Sequence, residues 1–194
     1  MAQNINYKKF GVDTTHNIPS GLTVGERAPD FTAINQYGDS VNLQEELKKG
    51  PVVLFFYRGY WCPKCSKHLQ AMEDSIKLLT DSGAVVIAVS PQVEKYTLKT
   101  VNKHKLTFQT LSDSANEITK AYDVLFDVTK GYNRMIKFGL LSDIAKANGA
   151  DEAQLPVPAT FIINQKGIIT YRQFDYNYSK RASVREIAEN LPEK

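Results

Sequence analysis

Two cysteines, Cys62 and Cys65, are the only cysteines of the chain, and two residues separate them. A stabilising disulfide framework spreads its cysteines along a chain, so a single cluster indicates chemistry at the sulfur atoms. A thiolate attacks a disulfide sulfur to give a mixed disulfide, which a second nearby thiol then resolves. The spacing therefore predicts a pair that cycles between dithiol and disulfide.

The residues between the cysteines predict that the pair lies at the start of a helix. Pro63 suits the first helical position, which makes Cys62 the N-cap and Cys65 the third helical residue. Free backbone N–H groups and the helix dipole favour a thiolate on Cys62, and Lys64 adds a nearby cation. Cys65 lies on the apolar stripe of the helix, so we expect it to be the less exposed thiol. By this argument Cys62 attacks and Cys65 resolves.

A non-enzymatic alternative is a redox sensor or a zinc-binding module. His68 would have to join the two cysteines, and His104 or His16 would have to supply the fourth ligand. Structural zinc sites usually gather two tight ligand pairs, whereas these histidines stand alone. The pattern favours an enzyme that uses no metal ion and no other cofactor.

The segments around the cysteine pair alternate between strand and helix patterns. The run VVLFFY is apolar on both faces, which is typical of a strand inside a sheet. Strand, helix and strand in succession form a crossover unit with parallel strands, and the repeat of this unit predicts an α/β layered fold. The predicted strands lie at 52–57, 84–90 and 107–112, and the predicted helices lie at 63–79, 91–105 and 118–122, the last one capped by Asp113.

The flanking segments define the domain organisation. Residues 1–21 form a polar lead-in, and 22–194 form a single domain that contains an insertion at about 124–155, with a helix predicted at 140–147. Two extended pieces meet at a turn over 37–39, a hairpin turns at 165–167, and a helix is predicted at 183–191.

The composition excludes several classes of protein. The net charge of +3 comes from 24 basic and 21 acidic residues that are mixed along the chain, which argues against nucleic acid as a partner. No apolar run approaches the ~20 residues that cross a bilayer, so no membrane association is expected. The amino terminus lacks the pattern of a secretory signal, and we therefore expect a cytoplasmic location.

The segment YRGYWCPKC resembles the thioredoxin superfamily, and within it the peroxiredoxin-like group of the alkyl hydroperoxide reductase/thiol-specific antioxidant family. The similarity covers about 22–191 and includes VGERAPDF, AVVIAVSP, LPVPATFIINQKG and DYNYSKR. It implies a thioredoxin-like three-layer α/β sandwich with a central mixed sheet and helices on both faces. It also implies an antioxidant oxidoreductase with a redox-active disulfide bond, acting on a peroxide or a protein disulfide. Thioredoxin or another small dithiol would be the reductant, and a homodimer is a further expectation.

The resemblance also implies supporting residues. In thioredoxin-like folds a cis proline precedes the strand that faces the dithiol, and here that position is Pro158. The backbone at Val157 would then be free to pair with an extended disulfide substrate, and Thr160 follows on the same strand. Tyr60 and Trp61 occupy the place of an aromatic rim beside the sulfurs.

The peroxiredoxin motif Pro-x-x-x-Thr-x-x-Cys aligns without gaps but with two substitutions. Arg58 stands at the proline and Cys62 at the threonine, while Cys65 takes the position of the peroxide-reactive cysteine. The motif arginine before the late strand is absent, at Pro158. Arg58 would compensate by stabilising a thiolate or polarising an O–O bond. The alignment thus names Cys65 as the first nucleophile and helix capping names Cys62, so both assignments stay open.

A second candidate function is a thioredoxin-like disulfide reductase without peroxidase activity. The buried carboxylate of thioredoxin corresponds to Phe56 here, so proton transfer would need another base or a water. Asp175, Tyr178 and Arg181 match a late pattern of the family and are interpreted as structural.

Overall fold

The computed structural model describes residues 5–192, so residues 1–4 of the lead-in lie outside it. A short 3₁₀ helix, Tyr7–Phe10, comes first. The elements that follow are, in chain order, β1 (Thr32–Ile34), β2 (Ser40–Asn42), α1 (Leu43–Lys49), β3 (Val52–Phe56), α2 (Pro63–Asp74), α3 (Lys77–Thr80), β4 (Val85–Ser90), α4 (Glu94–His104), β5 (Gln109–Ser112), α5 (Glu117–Ala121), β6 (Leu125–Asp127), α6 (Lys130–Gly139), α7 (Ile144–Asn148), β7 (Gln154–Pro156), β8 (Ala159–Ile163), β9 (Ile169–Phe174) and α8 (Val184–Glu189).

The central sheet has five strands in the order β5-β4-β3-β8-β9. β3, β4 and β5 are parallel, whereas β8 runs antiparallel to β3 and β9 antiparallel to β8. Leu54, in the middle strand, lies between Ile87 and Phe161. All five residues of β3 are buried, as expected for a strand covered on both faces. The predicted α/β architecture with a mixed central sheet is confirmed.

Helices cover both faces of this sheet. Side chains of α2, α4, α6 and α8 join the core on one face, which also contains both cysteines. Side chains of α1 and α5 form the core on the other face. Successive β3 residues alternate between the two cores, since Phe55 belongs to the first and Phe56 to the second.

Before β4, the helices differ from the prediction in two places. The single helix predicted at 63–79 is divided into α2 and α3, because at Ser75 the backbone leaves helical geometry and its N–H bonds to Glu73. Serine competes for backbone hydrogen bonds and so favours helix ends. The unpredicted α1 begins after Asn42, whose side chain accepts a hydrogen bond from the N–H of Glu45 at 3.1 Å. This Asn-x-x-Glu spacing is a capping signal that is readable in the sequence.

Asp113 caps α5 as predicted, although it lies three residues before the N-cap position, which is Asn116. Its buried carboxylate accepts the backbone N–H groups of Ile118 at 3.1 Å and Thr119 at 2.8 Å. These bonds satisfy amide groups at the start of α5 that have no partner within the helix.

The segment predicted as an insertion, 124–155, contains α6 and α7 between β6 and β7, which form a separate two-stranded sheet. The helix predicted at 140–147 is shorter, because the chain turns at Leu141, whose φ is +50°, and α7 begins only at Ile144. The preceding helix α6, which ends at Gly139, was not predicted. The lead-in lies against this segment: Val12 forms a bridge with Val128, and the N–H of Thr129 bonds to the carbonyl of Gly11 at 2.8 Å.

The predicted hairpin is confirmed, with β8 and β9 joined through Gly167 at φ +77°. The prediction of a cis bond before Pro158 is wrong, because residues 5–192 contain no cis peptide bond. The chain runs directly from β7 into β8 there, with the N–H of Val157 bonded to the carbonyl of Val124 at 2.7 Å. An extended path of this kind accommodates the ordinary trans bond.

None of the helices within residues 5–192 is long and apolar enough to span a membrane.

Gly50 is the glycine at which an added methyl group meets the most severe obstacle. A Cβ there would lie 2.0 Å from the carbonyl oxygen of Gly83, which is backbone and cannot rotate away. We expect Gly50→Ala to lower the free energy of unfolding by at least about 1–3 kcal/mol, measured by urea denaturation. Gly131→Ala is the control, because its Cβ meets nothing within 4 Å and alanine favours a helix. Equal stability of the two variants would contradict this prediction.

Candidate active site

Cys62 and Cys65 lie in the first turn of α2, as predicted. Cys62 is the N-cap with extended backbone dihedral angles, and Pro63 occupies the first turn. The Cys62 sulfur accepts the backbone N–H of Cys65 at 3.3 Å. The carboxyl end of β3 leads into the loop 57–61, which brings the chain to this helix terminus. The local sequence therefore places both sulfurs at the positive end of the helix dipole.

The two sulfur atoms are 2.6 Å apart, and both cysteines are free. Cys62 and Cys65 are each 0% exposed, so the expectation that Cys62 is the more accessible thiol is wrong. The loop before the helix causes this burial, because Tyr57 and Trp61 pack in the same core cluster as both sulfurs. A reactant therefore reaches the pair only if it is small or if the cover moves.

Arg58 lies beside Cys62 and is 2% exposed. Its Nη2 donates to the Cys62 sulfur at 3.5 Å, and its Nη1 donates to the Tyr132 hydroxyl at 2.7 Å. The guanidinium carbon lies 3.8 Å from the centre of the Tyr178 ring and 5.2 Å from that of Trp61. Aromatic faces attract a cation, so these rings hold Arg58 in place at the dithiol.

Arg181 lies beside the other sulfur. Its Nη2 donates to Cys65 at 3.2 Å, and its Nε donates to the Tyr178 carbonyl at 3.1 Å. The interpretation of Arg181 as structural is therefore incomplete, since the residue contacts a sulfur atom directly. Within residues 5–192, neither Arg58 nor Arg181 forms an ion pair with a carboxylate. The charge of each guanidinium is thus directed at the sulfurs.

The surroundings of the two sulfurs shift their pKa values in opposite directions. Burial would raise the pKa of Cys65, but the hydrogen bond from Cys62 and the charges of Arg181 and Arg58 outweigh it and lower that pKa well below the ordinary thiol value. The hydrogen bond to Cys65, together with burial, raises the pKa of Cys62. At any pH between the two pKa values, the pair holds one proton, and that proton is on Cys62. This is the reverse of the capping argument, which placed the thiolate on Cys62.

The predicted cation Lys64 and the aromatic residue Tyr60 lie outside this contact shell. Lys64 is exposed and makes no hydrogen bond to either sulfur. Tyr60 stacks on Tyr96 with ring centroids 4.3 Å apart. Its backbone N–H donates to the buried Gln92 at 2.8 Å, and Gln92 in turn donates to the Tyr57 hydroxyl at 2.8 Å. These contacts fix the loop that carries Arg58.

Val157, Pro158 and Thr160 are buried at and just before the start of β8. No hydrogen bond within residues 5–192 joins any of them to Cys62 or Cys65. The N–H of Val157 is already bonded within the chain, so the expected free backbone group is absent there.

The three histidines are separate from one another. His16 pairs with Asp127 at 3.3 Å, and His104 bonds to Ser66 at 3.1 Å. Burial and the charge of Arg181 lower the pKa of His68 to about 3, so its ring is neutral. No group of three or more His, Cys, Asp or Glu side chains in the described part of the chain is arranged to hold a metal ion.

Sequence reasoning did not identify Tyr132 or Gln92. Gln92 follows the carboxyl end of β4, and the ends of neighbouring parallel strands meet at one edge of a sheet, so its proximity to the loop after β3 was readable. Tyr132 reaches Arg58 from α6, and no spacing in the sequence announces this contact.

Comparisons with known proteins agree with this arrangement. The chain is 28% identical over 179 residues to the chloroplastic peroxiredoxin Q of Populus jackii, covering 87% of this chain and 71% of that protein. It is 30% identical over 150 residues to the chloroplastic peroxiredoxin Q of Oryza sativa subsp. japonica, covering 77% of this chain and 58% of that protein.

Among solved structures, a PrxQ variant from Xylella fastidiosa superposes with a TM-score of 0.68 at 17% identity, covering 88% of this chain and 95% of that one. This likeness confirms the thioredoxin-like fold. The model of the family described as AhpC/TSA matches residues 24–172, which is well over half of the sequence. The chain therefore belongs to the AhpC/TSA family.

Proposed function

We propose that this protein is a thiol-dependent peroxidase in which Cys65 attacks the peroxide and Cys62 resolves the product. The observation that carries the proposal is the position of Arg181, whose guanidinium donates to the Cys65 sulfur at 3.2 Å while the Cys62 thiol lies 2.6 Å away on the other side. A thiolate is the nucleophilic form of cysteine, and this is the sulfur that the surroundings hold as a thiolate. The peroxiredoxin names of the relatives support peroxide reduction as the reaction.

The proposed cycle has three steps. The Cys65 thiolate attacks one peroxide oxygen, the O–O bond breaks, and the other oxygen leaves with a proton as water or an alcohol. The Cys62 sulfur then attacks the resulting Cys65 sulfenic acid, which releases its oxygen as water and leaves a disulfide. A dithiol reductant supplies two electrons and two protons and restores both thiols.

The arginines suit the first step, because negative charge develops on the departing oxygen. Guanidinium N–H groups fixed in a buried site stabilise such charge more strongly than water does. The burial of both sulfurs favours a small peroxide over a bulky substrate.

The direct test is rapid mixing of the reduced protein with hydrogen peroxide or an alkyl hydroperoxide. Trp61, the single tryptophan of the chain, is adjacent to Cys62 and reports oxidation through its fluorescence. We expect Cys65 to react at least about 10²-fold faster than free cysteine, in line with the usual contribution of oriented donors. A rate no higher than that of free cysteine would reject the peroxidase.

A disulfide reductase is the second candidate, and the position of Cys62 as a helix N-cap followed by proline favours it. Such an enzyme presents its attacking sulfur to a protein substrate, whereas both sulfurs are fully covered here. Reduction of insulin disulfides distinguishes the candidates. Rapid insulin reduction without peroxide turnover would establish the reductase.

The pH dependence of peroxide oxidation identifies the nucleophile. The pKa of Cys65 is well below its ordinary value, so its thiolate persists as the pH falls towards that lowered pKa. We expect the rate constant to keep its plateau to a lower pH than that of free cysteine does. The pKa of Cys62 is raised, so a rate that climbs steadily above about pH 7 would identify Cys62 as the attacking sulfur instead.

Thioredoxin or another small dithiol protein is the proposed reductant, and a cytoplasmic location and a homodimer are part of the same proposal. The family and the names of the relatives support the peroxide substrate and the type of reductant. Turnover with purified thioredoxin and thioredoxin reductase tests the reductant, and light scattering tests the homodimer.

A further inference from the structure

The two arginines at the dithiol contact different sulfurs and are held by different segments. Arg181, from the segment after β9, donates to Cys65. Arg58 donates to Cys62 and is held by Tyr132 of α6. The proposed cycle needs two successive nucleophiles, first Cys65 and then Cys62. The site thus has one guanidinium for each nucleophile.

Cys62, the second nucleophile, must be deprotonated before it attacks, whereas the surroundings of Cys65 already favour its thiolate. In the resting site, the Cys65 thiolate holds the proton on Cys62 through the hydrogen bond between the sulfurs. After Cys65 becomes a sulfenic acid, this negative charge is gone, but Cys62 must still lose its proton before it can attack. The charged and titratable groups around Cys62 are Cys65 on α2, Arg58 in the preceding loop, Tyr132 on α6 and, beyond Cys65, Arg181.

We propose that Arg58 is the catalytic residue of the disulfide-forming step and that Tyr132 is its positioning residue. Arg58 stabilises Cys62 as a thiolate once Cys65 is oxidised, whereas Arg181 stabilises the thiolate of Cys65 in the first step. This inference rests on the peroxidase proposed above and assigns a role to the 124–155 segment, which supplies Tyr132.

The chemistry of the step balances without another reactant. Cys62 loses its thiol proton, and the resulting thiolate attacks the Cys65 sulfur of the sulfenic acid. The S–O bond breaks, hydroxide leaves and takes up the proton as water, and an S–S bond forms. The positive charge of Arg58 stays constant and compensates the charge that appears on Cys62.

The geometry supports a positioning role for Tyr132. The Arg58 Nε is buried without a hydrogen-bond partner, so the guanidinium is oriented by its Tyr132 and Cys62 contacts and by the Tyr178 ring at 3.8 Å. The Tyr132 hydroxyl accepts from Nη1 at 2.7 Å, which leaves Nη2 directed at Cys62. Loss of this hydroxyl would allow the side chain to rotate away from the sulfur.

The test measures the two steps separately in Arg58→Met and Arg181→Met. Fluorescence of Trp61 follows oxidation of Cys65 by hydrogen peroxide, and dimedone traps the sulfenic acid before the disulfide forms. We expect Arg58→Met to slow disulfide formation about 10²-fold and to accumulate sulfenic acid, and to slow the first step by a smaller factor, because Arg58 also helps to lower the pKa of Cys65. Arg181→Met should slow the first step and leave the second nearly unchanged. Equal slowing of both steps by Arg58→Met, or slowing of the first alone, would overturn the assignment.

A smaller substitution provides a second test in case Arg58→Met does not fold. Tyr132→Phe removes only the hydroxyl, and we expect it to slow disulfide formation about tenfold and to shift the pH profile of that step upwards, while the first step is slowed by a smaller factor. Tyr171→Phe is the matched control, because its hydroxyl bonds to Glu186 on α8 and not to Arg58 or a cysteine, so its loss should alter neither step. A Tyr132→Phe protein with an unshifted profile and an unchanged disulfide-forming rate would refute the positioning role.

A second substrate separates this inference from the peroxidase itself. Methyl methanethiosulfonate is small enough for a covered site: attack by the first thiolate gives a first release, of methanesulfinate, and attack by Cys62 on the resulting methyl disulfide gives a second release, of methanethiol. If wild-type protein fails to react with peroxide, the proposed function is wrong, yet the second release still tests Arg58. A second release that is equally fast in wild type and Arg58→Met would reject the role of Arg58 alone.

Discussion

Replacing Cys65 with serine is expected to abolish peroxide reduction. A serine hydroxyl is protonated at neutral pH and lacks the nucleophilicity of a thiolate, and Arg181 would then donate to a neutral oxygen. Loss of a nucleophile typically costs several orders of magnitude, so we expect the rate of peroxide consumption to fall by at least about 10³-fold. Rapid mixing with hydrogen peroxide, followed by mass spectrometry of the protein, measures this loss.

Cys62→Ser is the matched variant for the same experiment. A hydroxyl replaces the neighbouring thiol and still offers a hydrogen bond to Cys65. We expect the first oxidation to proceed within about tenfold of the wild-type rate and the protein to stop as a sulfenic acid, because the resolving sulfur is missing. If Cys62→Ser were inert while Cys65→Ser reacted, the roles of the two cysteines would be the reverse of those proposed.

Truncation of Phe161 to alanine should produce a large loss of stability. The side chain is 0% exposed in β8, and its ring centroid lies 5.6 Å from that of Tyr122 and 6.1 Å from that of Phe56. Removing a buried phenylalanine ring costs about 3–5 kcal/mol, which is a substantial part of the ~5–15 kcal/mol that stabilises a typical domain. Urea denaturation followed by circular dichroism measures the free energy of unfolding.

Phe138→Ala is the control for that loss, because Phe138 is 73% exposed and should change the free energy of unfolding by less than about 0.5 kcal/mol. Phe161 belongs to the core on the sheet face opposite the cysteines. The folded fraction of Phe161→Ala should therefore keep its reactivity towards peroxide. A loss of stability below about 1 kcal/mol would show that the cluster repacks.

The central strands and the start of α2 were predictable because their signals are local. Apolar runs such as VVLFFY identify buried strands without knowledge of the rest of the fold. Cys62, Pro63 and Cys65 likewise determine their own placement at a helix terminus, since capping preferences act over a single turn.

The sulfur environment was less predictable because it depends on distant contacts. Arg181 contacts Cys65 from 116 residues away, and Tyr132 contacts Arg58 from 74 residues away, so no spacing rule could connect them. The helix dipole by itself favours the thiolate on Cys62. Two guanidinium groups and a shared proton reverse that assignment, and both effects arise only when the chain folds.

The close approach of the two sulfurs bears on how long an oxidised intermediate survives. With Cys62 and Cys65 in one helical turn and 2.6 Å apart, the resolving thiol is already in contact when the sulfenic acid forms. No unwinding of α2 is needed before the disulfide closes. A second peroxide molecule must compete with this immediate neighbour, and further oxidation to the irreversible sulfinic acid therefore loses the competition.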